Sequence, residues 1–317
     1  MTELYRIDVH HHPSPPSYLA ARFARDEQYH QQRSWSVDRS LEDMDKGGVA
    51  TAMLSLPHSV KIWPGEADEA RGLARDWNEF MAKIAVDHPS RFGVFVALPM
   101  LDINASLREI EFAFDTLKAD GVALMTNIGD KWLGDTYYAP VFEELNRRGA
   151  VVYTHPVAPN CCRGLLEELN DTVIEYGADT TRAIAKVLWG GSAARYQRLR
   201  FIFSHAGGTL PYLAFRFLRQ YRNAPPKIKE LMPDGLVAAL NKFFYDTANT
   251  SNVYAMGSFT KLISLTQLMF GSDFPFGSAE HDARALTECG FSAGELRAIE
   301  CENAYRLFPR LQPAVRG

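Results

Sequence analysis

Five residues able to bind a metal or move a proton stand at the ends of separate strand-like runs. His10 and His12 close Ile7-Asp8-Val9-His10-His11-His12, and His155 closes Val151-Val152-Tyr153-Thr154-His155. His205 closes Phe201-Ile202-Phe203-Ser204-His205, and Asp273 closes Met269-Phe270-Gly271-Ser272-Asp273. Imidazole nitrogen with carboxylate oxygen suits a divalent transition metal, and three histidines with one aspartate suit zinc. Strand side chains two apart share a face, so His10 and His12 can grip one ion side by side. Asp8 has the same parity, which makes His10 and His12 the inward pair and turns His11 toward the helices or a neighbouring loop. A single strand-end histidine is more often a hydrogen-bonded structural residue. Five such groups in matching places are hard to explain in that way.

The fourth strand-like run ends Leu124-Met125-Thr126-Asn127, without a lysine that could be carbamylated to bridge two metals; Lys131 lies further on, in a loop. One ion is therefore expected. His205 is then free to act as a general acid or base beside it. The ion would activate water, or hold a substrate carboxylate or hydroxyl and stabilise developing charge.

Eight short apolar runs can position these groups: residues 5–10, 50–56, 92–98, 121–126, 150–154, 200–204, 243–246 and 267–271. Most are continuously apolar, as parallel strands buried on both faces should be. Helical spacing marks residues 67–86, 104–119, 138–148, 181–188, 210–221 and 283–288, and Ser292-Ala293-Gly294-Glu295 is a capping-box pattern opening a late helix. Alternation of this kind predicts an α/β fold, a (β/α)8 TIM barrel spanning residues 1–317 as one domain. A doubly wound open sheet fits less well, because no glycine-rich turn follows the first strand. In a barrel, strand C-termini face the active site, and all five residues occupy that position. Two connections are longer than a barrel needs, residues 13–39 after strand one and 158–179 after strand five. Long loops at that face commonly form a lid or substrate wall.

With 46% hydrophobic residues among 317, the chain can bury a large core. Its net charge of -4 and lack of like-charge runs argue against nucleic acid as a partner. Neither a signal pattern nor a membrane-spanning run is seen, so the expected compartment is the cytosol. Cys161, Cys162, Cys289 and Cys301 match no zinc-ribbon spacing and read as free thiols.

Ile7-Asp8-Val9-His10-His11-His12-Pro13, Thr154-His155-Pro156, Ser204-His205-Ala206-Gly207-Gly208 and Gly271-Ser272-Asp273-Phe274-Pro275-Phe276 resemble the signatures of the amidohydrolase superfamily. More narrowly they resemble its aminocarboxymuconate-semialdehyde decarboxylase-like branch. The likeness continues through Met44-Asp45-Lys46-Gly47-Gly48-Val49, Pro140-Val141-Phe142-Glu143-Glu144-Leu145 and Tyr245-Asp246-Thr247, and so covers nearly the whole chain. It implies one divalent ion, zinc or manganese, on His10, His12, His155 and Asp273, with His205 as catalytic acid or base. It also implies non-oxidative decarboxylation of a small carboxylic acid, and a homodimer.

Some members carry Glu-x-His at strand one where this chain has His10-His11-His12, which places it nearer the His-x-His decarboxylases. Arg33 in Gln31-Gln32-Arg33-Ser34-Trp35 is offset from the branch's substrate-binding arginine. Residues 126–134 resemble methylsalicylate-type members and favour an ortho-hydroxybenzoate-like acid, with a muconate-type acid as the other substrate the resemblance allows. Arg33 is expected to pair with an anionic group. Trp132, Phe274 and Tyr18 are expected to flank a flat ring. Either Asp273 or His205 could deliver the proton. The alternatives are a mononuclear metal-dependent hydrolase of a lactone or amide on the same barrel, and a non-catalytic scaffold.

Overall fold

A computed structural model describes residues 3–17, 19, 34–57, 67–129 and 131–312. Eight parallel strands follow one another in chain order: β1 Arg6–His11, β2 Val49–Leu54, β3 Phe92–Ala97, β4 Gly121–Met125, β5 Val151–His155, β6 Arg200–Phe203, β7 Phe244–Asp246 and β8 Leu268–Met269. The first and last strands are tied to each other. Val9 N–H donates to Phe270 O at 3.0 Å, Asp273 N–H to His10 O at 2.9 Å, and His12 N–H to Phe274 O at 2.7 Å. The sheet thereby closes into the expected (β/α)8 barrel. A two-residue hairpin, Asn127–Ile128 with Lys131–Trp132, stands above β4.

Helices pack around the strands: α1 Val37–Lys46, α2 Ala67–Asp87, α3 Ile103–Asp115, α4 Ala139–Arg148, α5 Glu175–Trp189, α6 Leu210–Arg222, α7 Val253–Phe259 and α8 Ala279–Thr287. Local chemistry sets their ends. Ser36 and Asp102 cap α1 and α3 by accepting from Arg39 N–H and Ala105 N–H, and Gly149 ends α4 at φ 66°. The Ser292–Glu295 capping box forms reciprocally and opens the short helix Ala293–Arg297.

The core has two layers. Outside the barrel, helix residues such as Trp77, Phe142, Ile184 and Phe259 pack on the strands. Inside it lie Ile7, Val9, Met53, Phe95, Tyr153, Ile202, Phe244 and Met269, joined by Cys301, Ala304 and Phe308 from the C-terminal segment. That segment plugs the end where the strands begin. Buried Glu300 receives Arg6 Nη2 at 2.6 Å and Tyr5 Oη at 2.5 Å, both at the start of β1.

Two expectations need correction. Ile7 and Val9 face the barrel interior, so Asp8 does not share the inward face with His10 and His12. The register between β1 and β2 shifts between Asp8 and His11, and this irregularity resets the parity. The connection after β5 is also shorter than read from sequence: α5 begins at Glu175, and Asp179 is a buried helical residue. Most of the long connection after β1, Tyr18 and Arg33 included, lies outside the described residues. Among the described residues, no helix is long and apolar enough to cross a membrane.

Candidate active site

The C-terminal ends of β1 and β5 and the turn after β8 bring four side chains to one point. One ligand atom from each of His10, His12, His155 and Asp273 lies within 4.8 Å of all the others, and all four residues are buried. Each imidazole is held from behind through Nδ1. His10 Nδ1 meets Asp246 Oδ2 at 3.0 Å, His12 Nδ1 meets Ser55 O at 2.8 Å, and His155 Nδ1 meets Pro156 O at 3.0 Å. These acceptors assign the proton to Nδ1 and leave each Nε2 lone pair aimed at the centre.

The centre calls for positive charge. His10 Nε2 and His12 Nε2 are 2.9 Å apart, a separation that two lone pairs tolerate only with a proton or cation between them. Asp273 Oδ1 lies 3.1 Å and 3.0 Å from the same two nitrogens, yet it is buried without a hydrogen-bond donor. Burial opposes charging His10, but the Asp246 and Asp273 carboxylates outweigh it and lift its pKa to about 10. Burial and the neighbouring His12 and His10 push His155 well below its ordinary range, and burial lowers His12 too. Burial also opposes ionisation of Asp273, but His10 overrides it and holds the carboxyl well below the usual carboxylate range. A divalent cation in place of the extra His10 proton would have three neutral imidazoles and an ionised carboxylate as its ligands, and the orphaned oxygen of Asp273 fits that set.

The two oxygens of Asp273 face different ways. Oδ1 points at His10 and His12. Oδ2 accepts Asn249 Nδ2 at 2.5 Å and lies 3.7 Å from His205 Nε2. The His205 ring is 5.1 Å from that of His10 and 5.8 Å from that of His155, and His205 Nε2 has no hydrogen-bond partner. Its backbone is left-handed at φ 53°, pinned by donation of its N–H to Asp246 Oδ1 at 2.9 Å. His205 therefore stands beside the four-residue cluster, placed to exchange a proton with Asp273.

The flanking residues divide. Trp132 is half-buried, and its indole N–H donates to Asp179 Oδ1 at 2.7 Å. Asp179 also binds Thr126 and Asn127 at the end of β4, so one helical carboxylate fixes this wall. Phe274 is not brought to the substrate side: it stacks on His11 at 4.8 Å and 20°, with only 7% of its surface exposed. Phe276 brings an aromatic ring near the cluster instead, 6.0 Å from His12. His11 turns outward as expected, bonding Asp8 at 3.2 Å and Ser40 on α1 at 2.9 Å.

Asp246, Asn249 and Tyr153 are the residues that sequence reasoning did not assign. Asp246 was visible only within the Tyr245-Asp246-Thr247 motif. Asn249 follows a strand end by three residues and adopts φ 56°, which no sequence signal marked. Tyr153 read as an ordinary strand aromatic; its ring lies 5.4 Å from His10 and forms the floor of the site.

A model of the amidohydrolase family matches residues 7–310. The chain belongs to the amidohydrolase family. This amidohydrolase is 35% identical over 317 residues to a 6-methylsalicylic acid decarboxylase of Penicillium expansum, across 97% of each chain. The expected likeness to the decarboxylase branch is thus borne out. Its barrel superimposes on a 2,6-dihydroxybenzoate decarboxylase with bound 2,6-dihydroxybenzoate at a TM-score of 0.82, with 20% identity over 96% of this chain and 99% of the other. A dihydroxybenzoic acid decarboxylase from a Polaromonas species, holding manganese and 2-nitroresorcinol, gives a TM-score of 0.81 at 21% identity over 98% of both chains. Those two likenesses speak for the barrel itself.

Proposed function

We propose that this amidohydrolase is a carboxy-lyase that removes the carboxyl group of a small ortho-hydroxybenzoate, of the 6-methylsalicylate type, as carbon dioxide. The observation that carries the reading is the full-length 35% identity to a decarboxylase of that acid. The buried four-residue cluster supports it. That relative favours decarboxylation over the hydrolase alternative.

His10, His12, His155 and Asp273 Oδ1 would hold one divalent ion. Three imidazoles and a carboxylate favour zinc, and the manganese in the Polaromonas structure makes that ion the second choice. Bound there, such an ion would supply fixed positive charge that favours an anionic substrate and the charge developing on it. The chain's own residues do the rest. The carboxyl-bearing ring carbon gains a proton, the carbon–carbon bond breaks, carbon dioxide leaves, and the bonding pair restores aromaticity. The proton is held by the His205–Asp273 Oδ2 pair, 3.7 Å apart. Asn249 keeps Asp273 turned so that its second oxygen faces His205. Phe276 and Trp132 wall the flat ring, and Arg33, which lies outside the described residues, would pair with an anionic group of the substrate. We read Phe274 as support for His11 rather than as a substrate contact.

Two further readings belong here. Tyr212 and Phe215 on α6 are 86% and 73% exposed, and Val253 and Tyr254 on neighbouring α7 are exposed as well. A second copy of the chain would bury this apolar face, so we read the protein as a homodimer. Four free cysteines suit the cytosol as its compartment.

The test is carbon dioxide release from 6-methylsalicylate and 2,6-dihydroxybenzoate in deuterium oxide. One deuterium should appear at the vacated ring carbon, and a chelator should abolish turnover until zinc or manganese is returned. Hydrolysis of a lactone or amide with no carbon dioxide from any ortho-hydroxybenzoate would overturn the reading.

A further inference from the structure

Cys161 and Cys162 are neighbours in the connection that leads from His155 to α5. Their Sγ atoms lie 2.6 Å apart, closer than two unbonded sulfurs ordinarily rest. Cys161 is exposed and Cys162 partly so, whereas Cys301 is buried. Cys162 N–H donates to Pro159 O at 3.0 Å, so both thiols ride on one surface turn. The chain between that turn and His155 is anchored: Val157 and Ala158 are buried, and Val157 O accepts Asn127 Nδ2 at 3.0 Å. Neither thiol has a part in the cluster of histidines and aspartate.

We propose that Cys161 and Cys162 form a reversible modification site, a vicinal dithiol that closes to a disulfide ring under a low-molecular-weight disulfide such as oxidised glutathione. Cys161 is the more exposed of the two, which makes it the first nucleophile, while donation of the Cys162 S–H to Cys161 Sγ holds the Cys162 thiol above its ordinary range. Its thiolate attacks one sulfur of the oxidant and releases one glutathione thiolate. The Cys162 thiol then loses its proton and attacks Cys161 Sγ, releasing the second glutathione. Two electrons and two protons pass from the pair to the two glutathiones, and one sulfur–sulfur bond forms in the protein. Adjacent Cα atoms lie about 3.8 Å apart, inside the lower limit of about 4.4 Å for ordinary disulfides. The ring is strained and exposed, which marks it as readily reduced and regulatory rather than a structural staple. Closing it tightens the turn at Pro159 and pulls on the anchored strand end that carries His155, lowering turnover.

The experiment treats the whole protein with oxidised glutathione, traps remaining thiols by alkylation, and reads intact and peptide masses. Two of the four thiols should disappear, the peptide holding Cys161 and Cys162 should be lighter by two hydrogens, and dithiothreitol should restore both. The double variant Cys161→Ser, Cys162→Ser should lose no thiol. A stable glutathione adduct on either cysteine, a disulfide between two chains, or four thiols unchanged would overturn the proposal. The turnover arm rests on the decarboxylase reading, whereas the mass arm does not. Ring closure with unchanged turnover overturns the coupling to the site and leaves the modification standing. A reduced protein with no decarboxylase activity fails the decarboxylase reading alone.

Discussion

Asp246 divides its carboxylate between two duties. Oδ2 takes the His10 Nδ1–H, while Oδ1 takes the backbone N–H groups of His205 and Ala248 at 2.9 Å and 3.1 Å. One buried side chain therefore sets the tautomer of a candidate ligand and the placement of His205, the proposed acid/base residue. Asp246→Asn keeps the shape but leaves an amide N–H facing a donor. We expect metal affinity to fall about 10- to 100-fold, read by competition with a chelating dye, and turnover to fall at saturating metal because His205 is displaced as well. Unchanged affinity would show that His10 needs no such partner. Asp282, at the start of α8, carries a different burden. Burial, reinforced by the Asp8 and Asp273 carboxylates, raises its pKa to about 7 against the hydrogen bond from Ser251. An unfolded aspartate titrates near about 3.9. Between those values the folded chain binds the extra proton, so stability declines as pH rises through this window, and the cost is complete above about 7. Asp282→Asn should therefore stabilise the fold at pH 8, by at most about 4 kcal/mol, and lose that advantage below pH 4. Urea midpoints at the two pH values measure it; an equal shift at both would refute the assignment.

At the scale of elements, the site depends on how closely β1, β7 and β8 approach. Gly271 sits where they meet. A Cβ there would lie 2.9 Å from that of His10 and 3.1 Å from that of Asp246. Gly271→Ala must push apart the histidine and the carboxylate that orients it. The expected cost is about 1–3 kcal/mol in denaturant midpoint, with metal affinity reduced in step; a variant that loses stability but keeps affinity would separate packing from orientation. This closeness also explains what sequence could and could not reveal. The eight strands were legible because two-sided burial makes each a continuous apolar run, and the ligand-type residues were legible because chain order puts them at strand ends. The inner face of β1 was reached by a faulty route. A strict period of two put Asp8 beside His10 and His12, but the register shift gives the interior to Val9 and sends Asp8 to Ser272, whose Oγ donates to it at 2.6 Å. Phe274 looked like a substrate wall because it follows Asp273, yet its ring completes a stack on His11. Asn249 and Asp246 become functional only through partners 24 and 236 residues away in the chain, a separation no local pattern encodes.

At the scale of the whole molecule, a column of rings runs through the barrel from its plugged end to its open one. Phe308 lies 5.7 Å from Phe95, Phe95 stacks on Tyr153 at 5.3 Å and 4°, and Tyr153 meets His10 at 5.4 Å. The C-terminal segment thus supports the candidate metal site from below by filling the interior. None of the five residues gathered at the other end comes from that segment, as expected where the strand N-termini serve stability and the C-termini serve chemistry. Truncating the plug tests that division. Phe308 is 3% exposed, so Phe308→Ala removes a fully packed ring and should cost about 3–5 kcal/mol. If the column only fills space, folded Phe308→Ala protein keeps its metal affinity and its turnover per folded molecule, and the cavity is absorbed at the Phe95 level. If the column holds Tyr153 against His10, metal affinity falls together with stability. The stacked Phe95–Tyr153 pair is nearly parallel and belongs to the same buried cluster as Met53, Ile202 and Met269, which keeps it in place. We therefore expect the first outcome: a lower denaturant midpoint with metal affinity within about twofold of the parent, a difference worth about 0.4 kcal/mol. A tenfold loss of metal at temperatures where the variant is still folded would instead make the plug part of the site.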